Sequence, residues 1–128
     1  MSNHITQIGV AMVPVSDVDG AIAFYTEKLG MEVRADASFG DGDRWVEVAP
    51  AGSAARFSFA QPREQFQPGR NLGVVLESTD VKADHAALRE AGVDVDEEIM
   101  SMGAPVPDMF WFRDQDANVL LLVEADAS

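Results

Sequence analysis

Residues 8–18 read IGVAMVPVSDV, an apolar run that ends in a Ser-Asp pair before a helical pattern begins. Residues 72–81 read LGVVLESTDV and repeat this order. An apolar run of this length is typical of a buried strand, and an aspartate at its end is a preferred helix N-cap. Each stretch therefore predicts a strand that leads into a capped helix.

The two predicted helices also end alike. Apolar residues recur at helical spacing over residues 18–29 and 81–91, and Gly30 and Gly92 follow as candidate C-caps. The second capping aspartate lies 63 residues after the first, and the second glycine lies 62 residues after the first. Because strand, cap, helix and glycine recur in one order at nearly one offset, the chain is predicted to contain two equivalent modules.

Three further strands are predicted in each module. A short strand is expected near Val33 in the first module and over residues 93–95 in the second. The remaining strand pairs are expected at 44–48 and 56–60, around a turn at 50–53, and at 109–113 and 119–124, around a turn at 114–118. The prediction is one α+β domain, with module one at about 5–62, a linker at 61–70 and module two at about 70–125. A four-stranded sheet with one helix buries only one face, so the modules must pack together, and a cup between their sheets is expected to hold a ligand.

Composition narrows the functional classes. The chain of 128 residues has 47% hydrophobic residues and no cysteine, which excludes a disulfide framework, a thiolate metal site and a thiol nucleophile. A net charge of −13, spread along the chain, disfavours nucleic acid as a partner. This acidity has two interpretations: attraction of a cationic ligand, or a solvated surface in a high-salt or high-GC organism. Neither a signal peptide nor a membrane span is recognisable, so a cytoplasmic protein without a membrane partner is expected.

Two motifs carry a family resemblance. Residues 15–33 read VSDVDGAIAFYTEKLGMEV, and residues 114–118 read DQDAN. The first resembles the V-x-D helix start and FY-x-x-x-LG helix end of the vicinal-oxygen-chelate superfamily, which includes glyoxalase, bleomycin resistance proteins and dioxygenases. The second resembles the D-P-D-G-N turn before that family's last strand. The resemblance covers nearly the whole chain and implies two βαβββ modules that form a cup-shaped mixed sheet. It also implies a homodimer, with each cup built either within one chain or across two.

The resemblance further implies four positions at which enzymes of this family hold a divalent metal with His and Glu side chains. They map to Val10, Ser58, Gly73 and Leu121. A useful site needs about three suitable protein ligands, and here only the serine could contribute one. No metal and no cofactor are therefore expected.

Other titratable side chains are weaker candidates. His4 lies near the terminus, and His85 is expected to face solvent on the second helix. Glu47, Glu77 and Glu124 lie on predicted strands, where a carboxylate could bind a cation or act as a base, although a rim or solvent position is the expected one. No catalytic residue is assigned.

Strand alternation predicts which side chains line the cup. If the four family positions point inward, then Met12, Arg56, Ala60, Val75, Val119 and Val123 share their face. Trp45 and Trp111 are candidates for contact with a planar ligand, whereas Phe57 and Phe59 have the opposite parity and are expected in the core. The predicted ligand-binding residues are Val10, Met12, Trp45, Glu47, Ser58, Gly73, Trp111 and Leu121.

Three functions fit these features. The first is a metal-free protein that binds a small hydrophobic or cationic organic molecule, as in antibiotic sequestration. The alternative is a lyase, isomerase or dioxygenase-like enzyme that uses a carboxylate such as Glu47 or Glu124, or an unconventional metal site. The third is a paralogue whose cup has closed and whose role is assembly or unknown.

Overall fold

The computed structural model describes residues 3–125. Its elements follow the predicted order βαβββ twice. The first module contains β1 (Val10–Pro14), α1 (Val18–Ala23), β2 (Glu32–Phe39), β3 (Asp43–Ala49) and β4 (Arg56–Ala60). The second contains β5 (Asn71–Ser78), α2 (Val81–Glu90), β6 (Asp94–Val95), β7 (Met109–Arg113) and β8 (Val119–Glu124).

Each module forms one mixed sheet. The strand orders are β1-β4-β3-β2 and β5-β8-β7-β6, so the same connectivity occurs twice. In both sheets the first and fourth strands are parallel neighbours and the other pairs are antiparallel. The predicted α+β fold is therefore confirmed.

The predicted helix starts are confirmed by hydrogen bonds. The Asp17 carboxylate accepts from the Gly20 amide at 3.3 Å, and the Asp80 carboxylate accepts from the Ala83 amide at 3.1 Å. Each bond satisfies one of the amides that a helix leaves unpaired in its first turn.

The two helices end at the predicted glycines. After α1 the chain continues as a π-helical turn, Phe24–Lys28, before it reaches Gly30. Gly30 and Gly92 have φ angles of +72° and +87°, a left-handed conformation that costs glycine little. The π-helical turn was not predicted, because periodicity alone does not distinguish it from an α-helical one.

One hydrophobic core joins the modules. The side chains on the helix-facing sides of both sheets belong to a single cluster, which includes Tyr25 and Phe59 from the first module and Phe110, Phe112 and Leu120 from the second. All five are almost fully buried, as predicted for Phe59. Burial of such a side chain stabilises the fold by about 1.5–3 kcal/mol, so this shared core holds the two sheets together.

The turn at residues 114–118 links the modules with polar bonds. The buried Asp114 carboxylate accepts from the Tyr25 hydroxyl at 2.7 Å. Asn118 donates to the Pro14 carbonyl at 3.0 Å. Burial, followed by the charge of Asp114, raises the pKa of Tyr25 well above its ordinary value, so the phenol remains a donor.

The predicted turn is also braced internally. One Asp114 oxygen accepts from the amides of Asp116 and Asn118, at 2.9 and 3.0 Å. Asp116 also reaches the first module, where it accepts from the amide and hydroxyl of Ser16. The turn therefore has a structural role that extends beyond its own strand pair.

Three details differ from the predictions. β2 is longer than expected, and β6 is confined to two residues. His85 is half-buried and does not face solvent: its Nε2 lies 2.7 Å from the Asp96 carbonyl and its ring packs edge-on against Phe110. Between residues 3 and 125, no helix is long and apolar enough to cross a membrane.

Candidate functional site

Each sheet has one face that points away from the shared core, which we call its open face. The open face of the first sheet carries Val10, Met12, Trp45, Glu47 and Ser58. Strand register brings them together, because Ser58 lies opposite Met12 on β1 and opposite Glu47 on β3. Five of the eight predicted site residues therefore share one surface.

The open face of the second sheet carries the other three. Leu121 lies opposite Trp111 on β7 and opposite Val75 on β5. Gly73 lies at a register shift in β5 and has a φ angle of +71°. A glycine there leaves the face open beside Val75.

The rest of the described chain does not cover these faces. Met12 and Trp45 are 41% and 39% exposed, and Val75 is 53% exposed. Large apolar side chains at such exposure favour contact with a ligand or another protein surface.

A cleft of about 620 Å³ opens at one end of the first open face. Met12, Phe39 and Trp45 contribute its apolar walls, and residues 16–19 and 60–63 close its other side. This volume lies within the roughly 300–1,000 Å³ that is usual for small-molecule sites. Phe39, which is 55% exposed, was not among the predicted site residues because the strand that carries it was predicted only near Val33.

A chain of polar contacts crosses the floor of this face. The Trp45 indole Nε1 donates to Glu47 Oε2 at 2.9 Å, and Arg56 Nε lies 2.8 Å from Glu47 Oε1. Arg56 also donates to the Ala54 carbonyl at 3.0 Å. Register brings the Arg56 side chain near Glu47, since Arg56 is two residues from Ser58, which lies opposite Glu47.

Ser58 is the buried polar group of this face. It is 0% exposed, and its hydroxyl has no hydrogen-bond partner among residues 3–125. A buried hydroxyl without a partner costs about 1–3 kcal/mol. The unpaired hydroxyl is therefore expected to lower the stability of the folded chain.

Charged groups at the cleft rim are mostly engaged. Arg44 binds Asp36 through two nitrogens at 2.9 Å each and reaches Asp19 at 2.8 Å. These hydrogen bonds hold the pKa of Asp36 below its ordinary value. Asp43 is exposed and makes no ion pair within the described part of the chain.

The four family positions do not suit a metal ion. Val10, Gly73 and Leu121 offer no donor atom, and Ser58 alone is a poor ligand set. Across residues 3–125, no group of three or more His, Asp or Glu side chains is arranged to hold a metal. No reaction step is therefore assigned to one.

The remaining carboxylate and histidine candidates lie elsewhere. Glu124 accepts from the Val81 amide at 2.9 Å and so caps α2 on the core side of its sheet. Glu77 is exposed on the second open face, and His4 is exposed near the terminus. Of the predicted carboxylates, only Glu47 belongs to the first open face.

Comparisons with known proteins agree with the fold. Residues 3–122 match the sequence profile described as Glyoxalase/Bleomycin resistance protein/Dioxygenase superfamily. The protein YetH of Bacillus subtilis (strain 168) is 32% identical over 127 residues, which span 94% of this chain and 99% of YetH.

Two solved structures illustrate the likeness. TnmS3, described as an antibiotic binding protein from Streptomyces sp. CB03234, is 34% identical with a TM-score of 0.82, covering 98% of this chain and 99% of its own. A superfamily member from Sphaerobacter thermophilus is 28% identical with a TM-score of 0.87, covering 94% and 98%. Both are similar over nearly their full lengths.

Proposed function

This chain belongs to the Glyoxalase/Bleomycin resistance protein/Dioxygenase superfamily, and we propose that it binds a small hydrophobic or cationic organic molecule in a cup lined by its first open face. One observation carries the proposal: Met12, Phe39 and Trp45 expose apolar surface around a cleft of about 620 Å³. A cleft of this size in which apolar side chains meet polar ones is typical of small-molecule sites. Here the polar side of the lining includes Asp17, Asp19, Asp43 and Arg44.

Sequestration of an antibiotic is the biological role that fits best. The similarity to TnmS3, a protein described as antibiotic-binding, supports it. A protein that sequesters a molecule needs a closed, complementary cavity and no reactive group. We further propose a cytoplasmic location.

The cup is proposed to be completed by a second copy of the chain. The exposure of Met12, Trp45 and Val75 supports this, because a single chain leaves both open faces uncovered. Val10, Met12 and Trp45 from one open face and Gly73, Trp111 and Leu121 from another are then the proposed ligand contacts. Of the other two predicted site residues, Glu47 holds the Trp45 indole and Ser58 is fully buried beneath the face. The dimer is the expected species in sedimentation experiments at micromolar concentration.

The enzymatic alternative has less support. It relied on Glu47 or Glu124 as the working carboxylate. Both oxygens of Glu47 are engaged, and Glu124 caps a helix away from the open face. Metal content of the purified protein, measured by plasma mass spectrometry with a chelator-treated control, is expected to be substoichiometric, and chelation should not lower the melting temperature. Stoichiometric metal would reinstate the enzymatic alternative.

The binding proposal is tested by titration of the protein with a panel of hydrophobic and cationic aromatic compounds. Tryptophan fluorescence quenching and calorimetry measure the binding. Trp45→Ala should weaken binding by at least about tenfold, equivalent to about 1.4 kcal/mol. Val33→Ala is the matched control, since Val33 is exposed on the same sheet but outside the cleft. Equal loss in both variants, or binding that is unaffected by Trp45→Ala, would contradict the proposed site.

A further inference from the structure

The charges on the floor of the first open face are already paired. Glu47 is the carboxylate there, and its side chain is only 16% exposed. One oxygen accepts from the Trp45 indole, and the other faces the Arg56 guanidinium. A ligand that enters this face therefore meets a neutralised ion pair in place of a free anion.

The carboxylates at the rim do not replace it. Asp19 and Asp36 share the single charge of Arg44 and have side chains that are 77% and 40% exposed, and Asp17 caps α1. Asp43 is exposed, and an ion pair in contact with water contributes little. The net charge of −13 acts at longer range, where salt screens it beyond about 10 Å.

The exposed indole could attract a cation through its π face. That attraction is small at an exposed site. In a closed cup, a cation would also lose its hydration without gaining an unpaired carboxylate. The free energy lost by this dehydration exceeds the small attraction of the indole. The balance favours a group that carries no charge.

We infer that the part of the ligand that contacts Trp45 is an uncharged aromatic group, and that Glu47 and Arg56 are positioning residues that fix the indole. This inference rests on the proposed binding function and selects the hydrophobic over the cationic class of ligand. The hydrogen bond to Glu47 restrains the Trp45 ring, so a flat neutral surface is ready for stacking at low entropic cost.

The test uses two probes of equal shape, 2-naphthalenemethanol and protonated 2-(aminomethyl)naphthalene, titrated into the full chain at several salt concentrations. The neutral probe is expected to bind at least as tightly as the cation, and its affinity should change less than about twofold between about 50 and 500 mM salt. A cation that binds more than about tenfold tighter, with an affinity that falls with salt, overturns the inference and leaves the binding function intact. If neither probe binds and no compound of the wider aromatic panel binds, both the inference and the proposed binding function are overturned.

Variants separate positioning from direct contact. Glu47→Gln keeps an acceptor for the indole and removes the charge, so affinity for the neutral probe should change less than about threefold. Glu47→Ala releases the indole and should weaken the same probe by about fivefold to tenfold. In a Trp111→Phe background, the fluorescence anisotropy of Trp45 should fall in Glu47→Ala and be restored in Glu47→Gln. Equal loss of neutral-probe binding in both variants, with unchanged Trp45 anisotropy, overturns the positioning role.

Discussion

At the scale of single residues, Ser58 shows how a binding surface can cost stability. Its hydroxyl is fully buried and has no partner in the described chain. The sequence could place Ser58 on the open face by strand parity, because each strand alternates. It could not show that the hydroxyl is unpaired, since that depends on the side chains that surround it.

Ser58→Ala is therefore expected to leave the free energy of unfolding unchanged or to raise it by up to about 1 kcal/mol, because it removes an unsatisfied group. Urea denaturation measures the difference. Ser78→Ala is the control, since the Ser78 hydroxyl is bonded to Asp84 and to the Asp80 amide and its removal should cost about 1 kcal/mol. A similar loss in both variants would mean that Ser58 has a partner such as a bound water.

Tyr25, the one tyrosine of the chain, offers a direct spectroscopic prediction. Burial and the neighbouring Asp114 raise its pKa in the folded state above the unfolded value of about 10. The stability contributed by the neutral phenol is then fully present below about pH 10 and is lost as pH rises further, by up to about 1.4 kcal/mol per pH unit.

Ultraviolet absorbance should therefore show no tyrosinate near pH 10 until the chain unfolds. Tyr25→Phe should remove both the signal and this component of the pH dependence, while the lysines continue to titrate. Tyrosinate that forms reversibly near pH 10 in folded protein would show that the hydroxyl is accessible to solvent.

At the scale of secondary-structure elements, the repeated order of strands and helices was predictable from the sequence. The side-chain contacts between elements that are distant in the sequence were not. The aspartate caps and the terminal glycines follow from local chemistry, and β4, β7 and β8 occupy the predicted residues. The contact of Asp114 with Tyr25 joins positions 89 residues apart, and no local pattern announces it. His85 was misplaced for the same reason, because its partners come from β7 and from the residue after β6.

The glycine ends of the two helices give a prediction at this scale. Gly30→Ala and Gly92→Ala should each destabilise the protein by about 1–2 kcal/mol, because both residues have positive φ angles. An added Cβ meets nothing within 4 Å at either position, so the cost is conformational. Gly9→Ala is the control: its backbone is not left-handed, and the nearest contact is the mobile end of Arg56 at 3.5 Å. Denaturant midpoints measure all three, and a cost at Gly9 equal to that at Gly30 would contradict the argument.

At the scale of the whole molecule, sequence predicted the architecture better than the site. Strand parity placed the predicted residues on two open faces, and register confirms that they share those faces. The pairing of Glu47 with Trp45 and Arg56 depends on rotamers, which alternation does not specify. That pairing, more than the net charge of the chain, decides whether a carboxylate on the open face is available to bind a cationic ligand.

The proposed dimer brings together two chains that each carry a net charge of −13. Like charges oppose association, and added salt screens this repulsion as the Debye length falls from about 10 Å at 0.1 M to about 3 Å at 1 M. The dimer dissociation constant should therefore decrease as sodium chloride is raised, which sedimentation velocity at several protein concentrations can measure. The stabilisation from apolar contacts between the open faces changes little over the same range of salt. These contacts therefore set the dissociation constant that is reached at high salt. A dissociation constant that increases with salt would instead mean that ion pairs across the interface outweigh the overall repulsion.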